Sequence, residues 1–572
     1  MSRQTCSMLT VLSVSLILMQ YSHAEGQTEE WSTLFGSSSI DYSRAAGVDS
    51  SGNVIVGGLT YGNMFPGSYN GGPRDPFVAK CDADGNVLWV VQDGTSSDDD
   101  IEGVAADSSD NVIAVGETDG DLGGGTNAGA KDAYVQKYDP DGNIVWTNLI
   151  GTPGTDLGTC VAVADDDSII VSGQTYGDLA APHAGGGDIF VARLFPDGSQ
   201  QWIRQIGSDD YDSPAGVAVD IQGNVYVAGY SGGQMGAFNS GFIDIVLLKY
   251  SPNGDHLWTR QLGTPGYDYG FDVAVDSSGN AYVAGYTGGD LNGSNGGFDS
   301  VLVKYDPSGA IVWIQQDGTP DTDRANGVSI DGSYVYVAGY TKGNFGGANQ
   351  GNNDAFISKY STGGQLISVH QFGTPESDWV DEVVVPEPDK PVVIGDSWGD
   401  LGGTREGDND VFLVKFDHPP VPVTVNDYQV ERGQVIGGSS LIYLQLSDNL
   451  RMTIRRQTGL HRLGPMSLVF EGQLPIDTPS SLEFQIECRA SHQRIYQTVQ
   501  FYNWSNGTFE TIGGNQLSTT EETHNFGLPA NFLDYVEAGT GNVRTRVRWE
   551  PPPRAVIRNS WNVYIDSVFW QE

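Results

Sequence analysis

Polar and apolar positions alternate along this chain in short runs that return at a fixed interval. From Trp258 the sequence reads WTRQLGTPGYDYGFDVAVDSSGNAYVAGYTGGDLNGSNGGFDSVLVKYDPSG, and the next copy opens at Trp313. Each copy holds four apolar-rich runs, which predicts four β-strands with at least one buried face. In the copy quoted they are expected at 272–276, 281–287, 299–305 and 310–319. Ser277-Ser278-Gly279-Asn280 joins the first two runs and Asp306-Pro307-Ser308-Gly309 the last two. Turns of this composition supply the positive φ and tight reversal that hairpins need. A long Gly-rich loop separates the second run from the third.

Trp31, Trp89, Trp146, Trp202, Trp258 and Trp313 keep one register, with a period of about 55 residues. Seven copies fill residues 31–417. Four short strands per copy at this period predict an all-β, seven-bladed β-propeller. The last copy supplies only three strands, at 380–385, 392–398 and 410–417, because His418-Pro419-Pro420-Val421-Pro422 cannot continue a ladder. Trp31-Ser32-Thr33-Leu34-Phe35-Gly36 is an orphan copy of the missing fourth strand. Placed in blade seven it closes the ring and leaves no unpaired edge.

The copies resemble the SBBP-type β-propeller repeats of secreted bacterial proteins, whose pattern is close to GVAVDSSGNVYVAGYT…DAFVAKYDPDGN…W. Asp165-Asp166-Asp167-Ser168 in blade three and Pro386-Glu387-Pro388-Asp389-Lys390-Pro391 in blade seven depart from it, in turns and not in strand count. The resemblance implies an extracellular or envelope role and no fixed enzymatic activity.

Residues 418–423 form a Pro-rich linker, and from 424 to 572 the period is lost. Alternation at 452–456, 482–488, 498–502, 543–549 and 563–570 belongs to about eight strands without a convincing helix, which predicts a β-sandwich of jelly-roll type. The stretch QVERGQVIGGSS…LQLSDNLRMTI is similar to sandwich modules appended to exported bacterial proteins, which implies a binding or attachment accessory. At the other end, residues 1–24 read as a secretory signal peptide: basic Arg3, an apolar run through Met19 and small Ala24. Cys6 precedes the run, against a lipoprotein anchor. No later segment reaches the about 18 uncharged apolar residues of a membrane span, so a secreted or cell-envelope location without membrane insertion is expected.

The formal net charge of −43 is unevenly spread. Residues 418–572 hold 12 Arg, no Lys and 15 acids; by difference from the totals of 29 and 72, the rest holds 17 basic and 57 acidic residues, a net of −40. Such a surface repels nucleic acid and anionic membrane, and suits solubility, divalent cations or basic partners. Cys81, Cys160 and Cys488 match no disulfide framework or zinc spacing and read as buried structural thiols.

Antiparallel strand order puts the two short turns of each blade on one face and the two long connections on the other, where binding residues are expected. That face carries two sevenfold sets of aspartates. One set is Asp41, Asp99, Asp156, Asp212, Asp268, Asp323 and Asp378; the other is Asp75, Asp132, Asp188, Asp244, Asp299, Asp354 and Asp410. Strict repetition favours a structural role, with carboxylates accepting backbone N–H groups of the loops; Ca²⁺ is the one cofactor the pattern would admit. The repeated Lys80, Lys137, Arg193, Lys249, Lys304, Lys359 and Lys415 are expected to form ion pairs or carbonyl contacts between strands. Turns such as Asp82-Ala83-Asp84-Gly85-Asn86 lack the distal Glu of a calcium loop and read as turn chemistry.

Positions that differ between blades are more telling. The residue after the second strand is Tyr61, Asp119, Tyr176, Gly232, Gly288, Lys342 or Trp398; the residue after the first Asp is Tyr42, Asp100, Leu157, Ser213, Tyr269, Arg324 or Trp379. Blades seven and one thereby combine Trp379, Trp398, Tyr42 and Tyr61 with Asp378 and Asp41, a set suited to stacking on sugar rings while carboxylates accept hydroxyl protons. The opposing reading has these rings pack the closure seam. His183, His256 and His370 fall in different blades, and no nucleophile elbow, zincin, P-loop or dinucleotide motif occurs. No catalytic residue is assigned. A non-catalytic binding or adhesion protein with a glycan or surface-protein partner is favoured over a polysaccharide hydrolase or lyase with an acidic site, and over a protein–protein scaffold.

Overall fold

The computed structural model describes residues 28–417 apart from 65–71, 237–238 and 294–295, and beyond them only the backbone of strands between 424 and 571. Two compact units divide the chain, Met1–Asp417 and His418–Glu572. The first contains seven four-stranded antiparallel sheets. Blades one to six span 41–92, 99–150, 156–206, 212–262, 268–317 and 323–372. Blade seven combines Asp378–Glu387, Lys390–Ser397 and Asp410–Asp417 with Thr28–Phe35. Trp31 stands opposite Lys415 and Phe35 opposite Val411, so the orphan strand closes the ring in the expected register.

Second and third strands are buried along their whole length, as in Ala281–Thr287. They pack on the equivalent strands of the next blade: Ile170, Ile189 and Val191 of blade three meet Val227, Val246 and Leu248 of blade four. Two-sided burial explains why these runs are nearly continuous in apolar residues. The fourth strand, such as His256–Leu262, forms the half-exposed rim.

The first strand starts earlier than the alternation predicts: it spans Asp268–Val275 in blade five, not 272–276. A β-bulge between Gly270 and Asp272 interrupts the register, and the same break recurs in every blade. One unpaired residue flips the side-chain phase, so a period-2 reading loses the strand at that point. The bulge also turns the Tyr269 carbonyl toward Gly285, where a Cβ would collide with it.

Blades are pinned to one another at the short-turn face. The indole N–H of Trp31 donates to Ala83 O at 2.9 Å, that of Trp89 to Pro140 O at 3.0 Å and that of Trp202 to Pro252 O at 2.9 Å, each in the following blade. The third-strand cation forms an ion pair in all seven blades, from Lys359–Asp389 at 2.5 Å to Lys304–Asp276 at 3.9 Å. In blades two, three and seven an Asp takes the left-handed turn position: Asp110 at φ 62°, Asp167 at φ 60° and Asp389 at φ 61°. Asp tolerates that conformation better than most side chains. Asp110 and Asp167 also accept N–H bonds from Ser50 and Ser108 of the preceding blades, at 2.8 and 2.9 Å.

In the second unit, backbone strands pair into two five-stranded sheets. Its side chains, including Cys488, lie outside the described residues, as do residues 1–27. Among the described residues no helix is long and apolar enough to cross a membrane.

Candidate functional site at the channel mouth

The seven first strands surround a central cavity of about 640 Å³. The bulged residue of each strand, three places after its opening Asp, lines it: Arg44, Glu102, Thr159, Ala215, Phe271, Asn326 and Asp381. Seven different residues at one position of an otherwise strict repeat make this ring the most individual part of the molecule. The residues one place after the opening Asp and those opposite them on the second strand extend the ring toward the long-loop face.

The two aspartate sets lie below this surface. Asp41, Asp99, Asp156, Asp212, Asp268, Asp323 and Asp378 are all 0 % exposed. Each accepts the backbone N–H of the residue four places earlier, as Asp268 does from Thr264 at 2.6 Å, and Thr287 donates its hydroxyl to the other carboxylate oxygen. The second set is buried too, and Asp354 accepts the Gln350 N–H at 2.7 Å and the Gln371 side-chain amide at 3.0 Å, an amide contact repeated in blades one, three, four and five. These carboxylates staple loops instead of forming an exposed acidic rim. Among the described residues no group of three or more His, Cys, Asp or Glu is arranged to hold a metal ion. The turn Asp82 accepts the N–H groups of Asp84 and Asn86 at 3.0 and 2.8 Å, which is turn chemistry.

Of the six residues expected to bind a ligand, Asp41 and Asp378 are therefore removed from direct contact by full burial. Tyr42 and Tyr61 pair edge to face at 6.4 Å on blade one. Trp379 turns the other way, lining the cavity and meeting Tyr340 of blade six at 4.4 Å. Half-buried Trp398 follows the second strand of blade seven, its N–H bonded to Ser377 O at 3.0 Å.

The larger aromatic array lies on blades four to seven. Tyr230 meets Tyr269 at 4.7 Å, Tyr269 meets Tyr286 at 5.0 Å and Tyr286 meets Phe298 at 5.3 Å, with Phe271 packed against Tyr286 at 5.5 Å. The Arg324 guanidinium caps Tyr286 at 4.4 Å and lies 5.8 Å from Tyr340, which carries the contact on to Trp379. Across the mouth, blades one and two are charged: Arg44 pairs with Glu102 at 3.5 Å, Arg74 with Asp100 at 3.2 Å and Lys131 with Glu117 at 2.6 Å. Burial raises Glu102 to about 8, helped by the Asp100 charge, and burial raises Asp100 to about 6 against the pull of Arg44 and Arg74. Asp396 and Glu382 are also pushed well upward, chiefly by burial. One half of the mouth is thus aromatic and the other a crowded charge network.

Residues 201–234 and 257–292 match the model of the SBBP β-propeller repeat. Two copies of the repeat, spanning parts of blades three to five, are thus of that type. The regulatory protein FlaEY of Caulobacter vibrioides is 26 % identical over 325 residues, covering 48 % of this chain and 34 % of that protein. An uncharacterised WD repeat-containing protein of Acanthamoeba polyphaga mimivirus is 25 % identical over 263 residues, 36 % of this chain and 19 % of its own. This chain accordingly matches about a third and about a fifth of the length of those two relatives. Among solved structures, a polysaccharide lyase shares 10 % identity over 68 % of this chain and 100 % of its own, at a TM-score of 0.42. A putative gluconolactonase shares 16 % over 54 % and 88 %, at 0.29. The chemistry must therefore be argued from the SBBP-type ring itself.

Two features of that ring escape a sequence reading. The bulged position is invisible without the register, although its variation from Arg44 to Asp381 was a usable signal. The aromatic array draws on the second-strand residues Tyr230, Tyr286 and Tyr340, which read as ordinary strand tyrosines beside the buried Tyr226, Tyr282 and Tyr336.

Proposed function

We propose that this chain is an exported, glycan-binding protein that takes its ligand at the channel mouth on the long-loop face. The observation that carries this reading is the aromatic run from Tyr230 through Tyr269 to buried Tyr286, continued by Arg324 to buried Tyr340 and to Trp379, in which Tyr230, Arg324, Tyr340 and Trp379 line the cavity. Aromatic faces beside hydrogen-bonding groups suit the apolar faces and hydroxyls of sugars. The second unit serves as a sandwich-type accessory for attachment. Retention of the full chain on immobilised polysaccharides tests the reading: Tyr269→Ala with Trp379→Ala should abolish retention while the thermal midpoint stays within a few degrees. Retention unchanged in that variant overturns it. A parallel arm with chelator asks whether Ca²⁺ contributes.

The charge network favours one second reading, a polysaccharide-active enzyme. Glu102, raised to about 8, is protonated near neutral pH beside the lower Asp100, the split that acid–base work requires. Soluble product from a polysaccharide, lost in Glu102→Gln, would establish it; a broad panel without turnover would remove it.

A further inference from the structure

Sixteen Lys and Arg lie between residues 28 and 417. Twelve of them face a carboxylate at ion-pair distance. Arg204 and Arg260 instead donate to turn carbonyls of the next blade, at 2.8 Å to Gly254 O and 2.7 Å to Gly309 O. Two cations remain, and both belong to blade six. Arg324 follows the opening Asp of its first strand, and Lys342 follows the last residue of its second. Asp323 pairs with Thr341 across the same two strand ends, and Arg324 and Lys342 flank that pair diagonally, on the same side of the sheet by alternation.

In a segment with 56 acids against 16 bases this is an unusual place for two cations that have no acidic partner among the described residues. Arg324 lines the cavity, stacked on Tyr286 and 5.5 Å from Phe298, and its buried Nε has no hydrogen-bond acceptor among the described residues. A buried guanidinium donor without an acceptor is costly unless a ligand completes it. Lys342, one residue beyond the paired Thr341, is exposed.

We infer that Arg324 and Lys342 form an anion subsite that receives the acidic substituent, a carboxylate or a sulfate, of the saccharide whose ring lies on the adjoining aromatic residues. This deepens the glycan-binding reading and rests on it. The planar guanidinium binds such groups in a bidentate manner, and Lys342 adds a mobile point charge. The surrounding acidity sets the spacing of charge in the ligand. A net of −40 repels a densely charged polymer wherever its charges come within a screening length of about 8–10 Å at moderate salt, so the site suits an isolated acidic sugar among neutral ones.

Titration calorimetry of the full chain tests the inference with oligogalacturonate and its methyl ester, and with a sulfated galactan oligosaccharide and its desulfated form. The wild-type protein should prefer one acidic probe over its neutral counterpart by about tenfold, the worth of one charge-assisted contact. The pair showing the preference tells carboxylate from sulfate. Arg324→Gln and Lys342→Gln should each lower the preference, Lys342→Gln leaving affinity for the neutral probe within twofold, and Arg324→Lys should keep part of it. Circular dichroism and thermal midpoint verify folding of each variant. Equal affinity for acidic and neutral probes, or a preference that survives both substitutions, overturns the anion subsite and leaves the glycan-binding reading standing. Failure to bind any of the four probes or any polysaccharide of the retention panel overturns both.

Discussion

Asp378 shows how much a single repeated residue is made to hold. Its carboxylate accepts the N–H of Thr374 at 2.6 Å, the Thr374 hydroxyl at 3.0 Å and the Ser397 hydroxyl, and it never reaches solvent. Removing it orphans buried donors in two loops at once. Asp378→Ala should cost about 2–4 kcal/mol, visible as a lower urea midpoint with an unchanged slope. Glu102 behaves differently, because burial, the Asp100 charge and the nearby Glu117 and Asp381 all favour its protonated form, against Arg44. Its folded value, about 8, exceeds the ordinary 4.5. The folded state therefore keeps a proton that the unfolded chain has lost. That contribution is complete below about pH 4.5 and disappears as pH rises toward 8. The turn carboxylates Asp49 and Asp107 shift the other way: burial raises them, but the bonds from Lys80 or Lys137, from Asn53 or Asn111 and from backbone N–H groups together lower them, and their contribution fades in acid. Thermal midpoints measured from pH 4 to 9 should fall on the alkaline side, and Glu102→Gln should flatten that fall.

The strand Thr28–Phe35 carries the largest structural consequence of any element. It covers the edge of Asp410–Asp417 and sends the Trp31 indole into the first blade. Deleting residues 28–35 should leave an open sheet edge and yield an aggregating protein by light scattering, since an unpaired edge recruits other chains. Trp31→Ala keeps the ladder but loses the pin and its packing against the seam, and should lower stability by about 2–3 kcal/mol. This element was legible in the sequence, because a lone Trp-Ser-Thr-Leu-Phe segment ahead of seven copies, the last of which lacks its fourth strand, has one place to go. Second and third strands were equally legible, Ala281–Thr287 and Asp299–Tyr305 falling where the apolar runs stand. The first strand was not, since its bulge breaks the alternation at residue 271. The aromatic pair expected across blades seven and one divides for a related reason. Which way Trp379 turns is decided by Tyr340 on the next blade, a neighbour that spacing along the chain does not reveal.

At the scale of the whole molecule, charge acts more broadly than any one contact. Most cations of the ring are committed to local ion pairs, which leaves a large excess of carboxylates to repel one another. Raising NaCl from about 20 to about 300 mM shortens the screening length to under 10 Å and should raise the thermal midpoint. A midpoint that falls would mean that the ion pairs outweigh the repulsion. The same closure that protects the edge also sets a clock. In a chain made from its N-terminus, Thr28–Phe35 precedes its partner by about 380 residues, which at about 5–20 residues per second is a wait of roughly 20–80 s. Until then six blades can stack, but the last keeps a vacant edge. The first strand to be synthesised is the last to be placed, so a circularly permuted chain opened between blades one and two, its old ends joined, should reach the same final stability and assemble sooner.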